Sequence, residues 1–364
     1  MKLDAYPVAG TVSRAQDQPL KVTSPAPRDV WQKLLEQDPE ALVTQTPAWL
    51  DCICSTGDYE DASRLYENSE GCQSVLPMVR RKGLPVVLTS QFSPPSSWGI
   101  GGLVVPGTIR VEDVGAVFSD LLSRPFLRTS IRPNPRAGEI WAAAAPPGVI
   151  SIPRLAHVLD LDDGFSQVWM KRFNSRTRNK IRKAEKAGLV VERDTSGELV
   201  PVFYDLFRQS ISRWASGQNE PLWMARWRGR RRDPFTKFES IAQFLGDACR
   251  IWVAWFKGQP AAAILVLQGN NAHYTRGAMD KDLAGPTQAN YLLHRLAIEE
   301  ACQAGCRYYH MGETGTSVQL AQFKTRFGAR AYPYAEYRLE HLPISKLDQR
   351  VRGLVKRIIG FEDA

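Results

Sequence analysis

The sequence predicts a two-lobed α/β protein, and three observations point there. The 364 residues suit two or three packing units. The content, 43% hydrophobic and 10% aromatic, suits a packed core rather than a disordered chain. The second half reads helix, strand, helix, three antiparallel strands, helix, strand, helix, strand. The first half carries a shorter version of helices, a hairpin, a glycine-rich loop, a helix and a strand, which suggests a duplicated fold. The expected organisation is a loose arm over 1–25, a first lobe over 26–150, a second lobe over 151–342, and a basic C-terminal segment over 343–364.

In the first lobe, Arg28 to Gln37 reads as a helix, and a second helix starts at Thr46-Pro47 with Thr46 as cap. Ala62 to Tyr66 and Cys72 to Arg80 alternate like strands, with a turn at Ser69-Glu70-Gly71. Ser93 to Gly102 is too rich in proline, serine and glycine for regular structure. Val111 to Leu122 reads as a helix and Thr129 to Pro133 as a short strand. The prolines from Pro146 to Pro153 mark the crossing between lobes.

The second lobe opens with a strand over Leu155 to Leu161. Asn174 or Ser175 caps a helix that Gly188 stops. Leu189 to Arg193 is a strand, and Glu198 to Ala215 a long helix. Strands at Ile251 to Phe256, Ala261 to Leu267 and His273 to Met279 are joined by tight turns at Lys257-Gly258 and Gly269-Asn270-Asn271. Thr287 to Ala304 is a helix, Arg307 to Met311 a strand, Gln319 to Gly328 a short amphipathic segment, and Arg330 to Leu339 the last strand. Residues 346–359 read as a terminal basic helix.

The net charge of +9 favours a polyanionic partner. The six cysteines include no C-x-x-C pair, and no metal-ligand spacing or P-loop is present. The first twenty residues lack an apolar leader core, and no apolar run reaches the ~18 residues that span a bilayer. The expectation is a cytoplasmic, reduced protein with no stable membrane insertion.

Two clusters concentrate the positive charge. From Lys171 to Lys186, eight basic residues face one acid, Glu185. Arg178, Arg182 and Lys186 lie four apart on one helical face, with Arg172, Arg176 and Lys183 approximately sharing another; Lys180 lies between. Such density calls for a counter-anion. The second cluster, Arg226-Trp227-Arg228-Gly229-Arg230-Arg231-Arg232, interleaves tryptophan with arginine in what reads as a loop. That composition suits a nucleic-acid backbone or a stacked base. Either cluster alone fits a solvated surface; the two together favour RNA.

Four places resemble the Fem-type aminoacyl transferases of the GNAT superfamily. They are the basic helix Arg172 to Gly188, the segment Tyr274 to Asp280 leading into Gly285-Pro286, the run Tyr309-His310-Met311-Gly312-Glu313, and Phe323-Lys324 with Gly328. The resemblance covers roughly residues 40–340, and its specific part is the second lobe. It implies two GNAT-like lobes, each a mixed, mostly antiparallel sheet flanked by helices. The coiled-coil arm of some members is absent. It also implies an enzyme that moves an amino acid from a charged tRNA to an amine, with tRNA as co-substrate and no cofactor.

By this resemblance Phe323 and Lys324 belong to the catalytic segment, with Lys324 beside the aminoacyl ester. Arg213, Trp214, Tyr274 and Arg276 fall where the acceptor groove is lined, and His310 and Glu313 where the cleft opens. His310 is a candidate general base; it fits a hydrogen-bonded core histidine equally. The expected tRNA contacts are Arg172, Arg176, Arg178, Lys180, Arg182, Lys183, Lys186, Arg228, Arg230, Arg231 and Arg232. The expected acceptor is an amine of a small molecule or a cell-wall precursor. Two rivals stand beside this reading: an acyl-CoA-dependent N-acyltransferase and a non-catalytic RNA-binding protein. The CoA reading meets Asp280 to Thr287, which has one glycine, two acids besides Lys281, and Pro286 in place of an N–H donor.

Overall fold

A computed structural model describes residues 20–315, 317–342 and 344–345. The expected helix at 346–359 and most of the expected N-terminal arm lie outside the described residues. The first lobe holds β1 (Lys21–Thr23), α1 (Arg28–Gln37), α2 (Pro47–Ser55), β2 (Tyr59–Asp61), β3 (Arg64–Glu67), β4 (Gln73–Leu76), β5 (Val79–Arg81), β6 (Ser90–Ser93), α3 (Val111–Leu122), β7 (Arg128–Ile131) and α4 (Gly138–Ala144). The second holds β8 (Ile150–Asp160), α5 (Gly164–Gln167), α6 (Ser175–Glu185), β9 (Leu189–Asp194), α7 (Val200–Gly217), α8 (Leu222–Arg232) and α9 (Phe235–Leu245). It continues through β10 (Cys249–Phe256), β11 (Gln259–Gln268), β12 (Ala272–Met279), α10 (Lys281–Thr287), α11 (Ala289–Gln303), β13 (Tyr308–Glu313), α12 (Val318–Arg326) and β14 (Arg330–Glu340). Among the described residues, no helix is long and apolar enough to cross a membrane.

Local chemistry explains the elements that sequence predicts well. Thr46 accepts a hydrogen bond from the Trp49 N–H at the start of α2, with Pro47 at the first position. Asn174 accepts from the Thr177 N–H at the start of α6. Trp31, Leu34 and Leu35 are the buried face of α1, spaced three and four apart.

Several expectations need correction. Lys21–Thr23 is a strand, not part of a loose arm; it pairs antiparallel with β3 in a small sheet of order β1-β3-β4. The expected Cys72–Arg80 strand breaks at Pro77, so β4 stays in the small sheet while β5 joins the large one. β8 begins at Ile150, inside the stretch expected to be a crossing. The arginine cluster is a helix, α8, packed closely on α7 where Gly229 seats under Ile211; a Cβ there would meet Ile211 Cδ1 at 2.8 Å. Pro286 lies within α10, where a turn was expected.

The large sheet has eleven strands in the order β2-β5-β6-β7-β14-β8-β13-β12-β11-β10-β9. The last strand, β14, makes it continuous. β14 pairs antiparallel with β8 of its own lobe, Tyr332 opposite Ala156, and with β7 of the other, Tyr337 opposite Ile131. Glu336 is buried at this seam and accepts from Ser130, Arg132, Arg154 and Arg338. Those cations hold its carboxyl down at about 2 against the opposing effect of burial.

Strand alternation gives the second-lobe sheet two buried faces. Trp252, Ala254, Ala262, Ile264 and Val266 pack with Ile181 of α6 and Leu293 and Ala297 of α11. Ile251, Val253, Ala263 and Leu265 pack with Phe203 and Phe207 of α7 and Phe238 of α9. Helices α6 and α7 therefore lie on opposite faces, and α8 follows α7.

Candidate active site

β12 and β13 run parallel, and their register holds only at Ala272–Tyr309 and His273–His310. Beyond His310 the strands part, and the β13–β8 register also breaks between His310 and Glu313. Gly312 takes the left-handed conformation at φ +79° in this break. Gly312 has no ladder partner across this break, and pairing with β8 resumes at Glu313 opposite Ala156.

Lys324 fills that position. Ser317 accepts from the Leu320 N–H and starts α12, which brings Lys324 inward. The side chain is 1% exposed, and Nζ donates to Gly312 O and Glu313 O, both at 2.8 Å. An ammonium has three donors, so two are used and one remains. Burial brings the lysine down to about 7, with the nearby Glu313 carboxylate opposing the shift.

Four of the five histidines gather around this amine. Burial drives each below its usual range, and the Lys324 charge adds to the shift; His273 and His294 fall to about 3. His273 also feels Arg276, ahead of Lys324. All four are neutral at physiological pH. The His310 and His273 rings meet edge-on with centroids 4.6 Å apart. His310 Nδ1 accepts from the Gly312 N–H at 3.0 Å. The ring proton is therefore on Nε2, a buried atom without a partner. With its basic nitrogen engaged, His310 is poorly placed as a general base.

The other expected site residues divide into those near the strand break and those tied elsewhere. Glu313 is at the break, where its carboxylate accepts from Tyr334 Oη and pairs with Arg154 at 3.4 Å. Tyr274 packs edge-on against His294 at 4.7 Å, and burial raises its phenol to about 12. Phe323 packs against Tyr291, His294 and Phe327, so its contacts are those of a positioning residue. Arg213 donates to Met279 O at 2.8 Å, and Trp214 lies half-exposed against Phe207. Arg276 is drawn into a buried ion cluster instead of a groove. Asp233 accepts there from Arg276, Lys237 and Arg232, and Ser97 O of the first lobe accepts from Arg276 and Lys237. Sequence inspection missed Asp233 and Lys237; the Asp-Pro step at 233–234 was the available signal for a helix boundary.

The basic helix is physically joined to the Lys324 helix. The carbonyl of Arg326 accepts from Asn174 N at 3.0 Å and from Thr177 Oγ1 at 2.9 Å. Gly328 lies against Arg172, whose carbonyl would be 2.5 Å from an added Cβ. Along α6, Arg176, Arg182, Lys183 and Lys186 are exposed. Lys180 sits over the Tyr291 ring at 4.6 Å. Arg172 is within 3.8 Å of Asp160. Arg178 serves the backbone: its Nη1 donates to the carbonyls of Trp169, Met170 and Phe173 around a π-helical turn.

Helix α8 lies across the sheet from α6, so the two basic clusters do not form one surface. Arg228 pairs with Glu220, Arg232 with Asp233, and Arg231 lies over Trp227, leaving Arg230 exposed beside them.

The GNAT acetyltransferase domain model matches residues 171–325, a span from the start of the basic helix to one residue past Lys324. The crystal structure of FemX is similar with a TM-score of 0.65 at 13% identity, covering 90% of this chain and 99% of that one. The chain has a Fem-type GNAT fold. A conserved protein of unknown function from Bacteroides thetaiotaomicron VPI-5482 is similar at a TM-score of 0.52 and 11% identity, covering 88% and 98%. A tandem GNAT protein from the clavulanic acid biosynthesis pathway gives 0.47 and 14%, covering 89% and 99%. No curated protein sequence matches the chain.

Proposed function

We propose that this Fem-type protein is an acyltransferase that moves an aminoacyl group from a charged tRNA to an amine, forming an amide. The observation that carries this is the bond from Thr177 of the basic helix to Arg326, two residues past Lys324. An RNA on the exposed cations of α6 has its acceptor end directed toward the strand break. The acceptor is a small molecule or a cell-wall precursor bearing an amine, and the Glu313 carboxylate is the group at the cleft suited to orient it.

The amine nitrogen attacks the ester carbonyl carbon, and the new C–N bond gives a tetrahedral oxyanion. Collapse breaks the bond to the ribose oxygen, which leaves with the proton shed by the amine. The remaining Lys324 donor faces charge that exists only near the transition state. A lysine that titrates near 7 is readily drawn to its ammonium form as that negative charge grows. The ester is already activated, so the step requires no ATP.

The acyl-CoA rival is weakened by α10. Asp280 accepts from the N–H groups of Asp282 and Leu283, so a carboxylate already caps the amides that a pyrophosphate would use. Thermal stabilisation tests the donor directly, because a ligand that binds only the native state raises the melting temperature. Bulk tRNA at low salt is expected to raise it and millimolar acetyl-CoA to leave it unchanged. The reverse pattern would transfer the assignment to the CoA-dependent reaction.

A further inference from the structure

The first lobe has an exposed apolar loop that neither the cleft nor the RNA surface uses. Leu84, Val86, Val87 and Leu88 follow β5 and are 52%, 45%, 57% and 52% exposed. A run of this kind on a surface calls for a partner. Arg80, Arg81 and Lys82 precede it, and from Gly71 to Val111 the chain contains no acid.

A cavity of about 330 Å³ adjoins this loop. Val86 belongs both to the loop and to the cavity wall, which Arg64, Arg80, Gln91, Arg124 and Phe126 also line. The one acid in the wall, Asp61, is bonded to Arg28 at 2.9 Å. Arg64 and Arg124 share Asp120, and Arg80 pairs with Glu60. Arg64 and Gln91 are almost wholly buried, yet Arg64 Nε and Gln91 Oε1 have no hydrogen-bond partner. Buried polar groups are ordinarily satisfied. One of these needs an acceptor and the other a donor.

We propose that the loop and cavity together dock the protein on an anionic phospholipid bilayer. Residues 84–88 enter the boundary between headgroups and acyl chains. A lipid phosphate accepts from the cavity arginines, and a headgroup hydroxyl donates to Gln91 Oε1. A free phosphate satisfies the arginines but leaves four aliphatic side chains in water; a bilayer accounts for both features. Apolar insertion combined with cationic attraction is the usual basis of peripheral membrane binding. This surface is distinct from α6 and does not depend on the identity of the acyl donor.

Flotation of the purified full chain with lipid vesicles tests the proposal. Wild type should float with vesicles containing phosphatidylglycerol and remain in solution with pure phosphatidylcholine. Val87→Glu with Leu88→Glu should cut binding at least tenfold, and Arg124→Gln should cut it about fivefold. If the double variant melts below wild type, Val87→Ser alone supplies the comparison, with a smaller loss expected. Unchanged flotation in these loop variants, or no flotation of wild type, would overturn the proposal. Stabilisation by millimolar inorganic phosphate without vesicle binding would make this a soluble-phosphate site and equally overturn it.

Discussion

Thr177 Oγ1 donates to the carbonyl of Arg326 at 2.9 Å, linking the basic helix to the helix that carries Lys324. Thr177 is buried and the carbonyl belongs to the last turn of α12, where helices leave oxygens unpaired. Thr177→Val keeps the shape and removes the donor. The expected loss is roughly 0.5–1.5 kcal/mol of stability, the net worth of one hydrogen bond, because the Arg326 carbonyl still accepts from the Asn174 N–H. Turnover with a tRNA donor should fall further than the stability loss explains, because α6 and the Lys324 helix lose one of the two hydrogen bonds that join them. Chemical denaturation beside single-turnover rates separates the two effects.

The exposed cations of α6 should carry the salt dependence of RNA binding. Arg182→Ala, Lys183→Ala and Lys186→Ala together should reduce the slope of log K against log salt by about 0.7–0.9 for each phosphate no longer neutralised. Arg226, Arg230 and Arg231 of α8 lie across the sheet, so replacing these three with alanine should leave the slope unchanged. Arg178→Ala is a different case: it removes a donor from three backbone carbonyls and should lower the melting temperature. A slope set by α8 instead would move the RNA to the other face.

Lys324 should leave a pH signature in stability as well as in rate. The unfolded chain keeps this proton up to the ordinary 10.5, while the folded protein releases it at about 7. Between those values the unfolded state binds more protons, so stability rises with pH from about 7 to 10.5. Lys237, brought down to about 8 by burial, adds to the same rise in wild type. The difference between wild type and Lys324→Met therefore isolates Lys324. That difference should change in favour of wild type as pH rises through this window, and a constant difference would place the Lys324 proton elsewhere.

Asp233 should be a point of structural weakness. It is the buried counter-charge of Lys237 and Arg276, and those cations hold its carboxyl well below the usual range against burial. Asp233→Asn leaves Lys237, Arg276 and Arg232 without that charge and should cost roughly 3–5 kcal/mol. Arg276→Gln should destabilise less, because Asp233 keeps Lys237. Denaturant titrations of both variants check the order.

Much of this architecture is legible in the sequence because local chemistry sets it. α1 and α3 have the expected bounds since apolar spacing defines each helix, and Thr46 and Asn174 cap as their positions predict. The misses come from distant contacts. Nothing local in Arg330–Glu340 shows that it joins the sheets of both lobes, because pairing with β7 is decided some 200 residues away in the chain. The α8 segment looks like a loop because its charge and Gly229 mask it, and its seat on α7 under Ile211 is a tertiary contact. Lys324 stands out from its neighbour Phe323 and the glycine that follows, but its enclosure by four histidines does not. Those residues come from β8, β12, α11 and β13 and meet only where the sheet opens.

The most direct measurement is mass-spectrometric detection of amide products after the protein meets charged tRNA and a pool of amine-bearing metabolites and cell-wall precursors. Wild type should add aminoacyl mass increments to an amine and release deacylated tRNA. Lys324→Ala should slow the transfer about 10²–10³-fold with tRNA affinity nearly unchanged. Transfer from acetyl-CoA but not from charged tRNA, or a Lys324→Ala rate equal to wild type, would contradict the account.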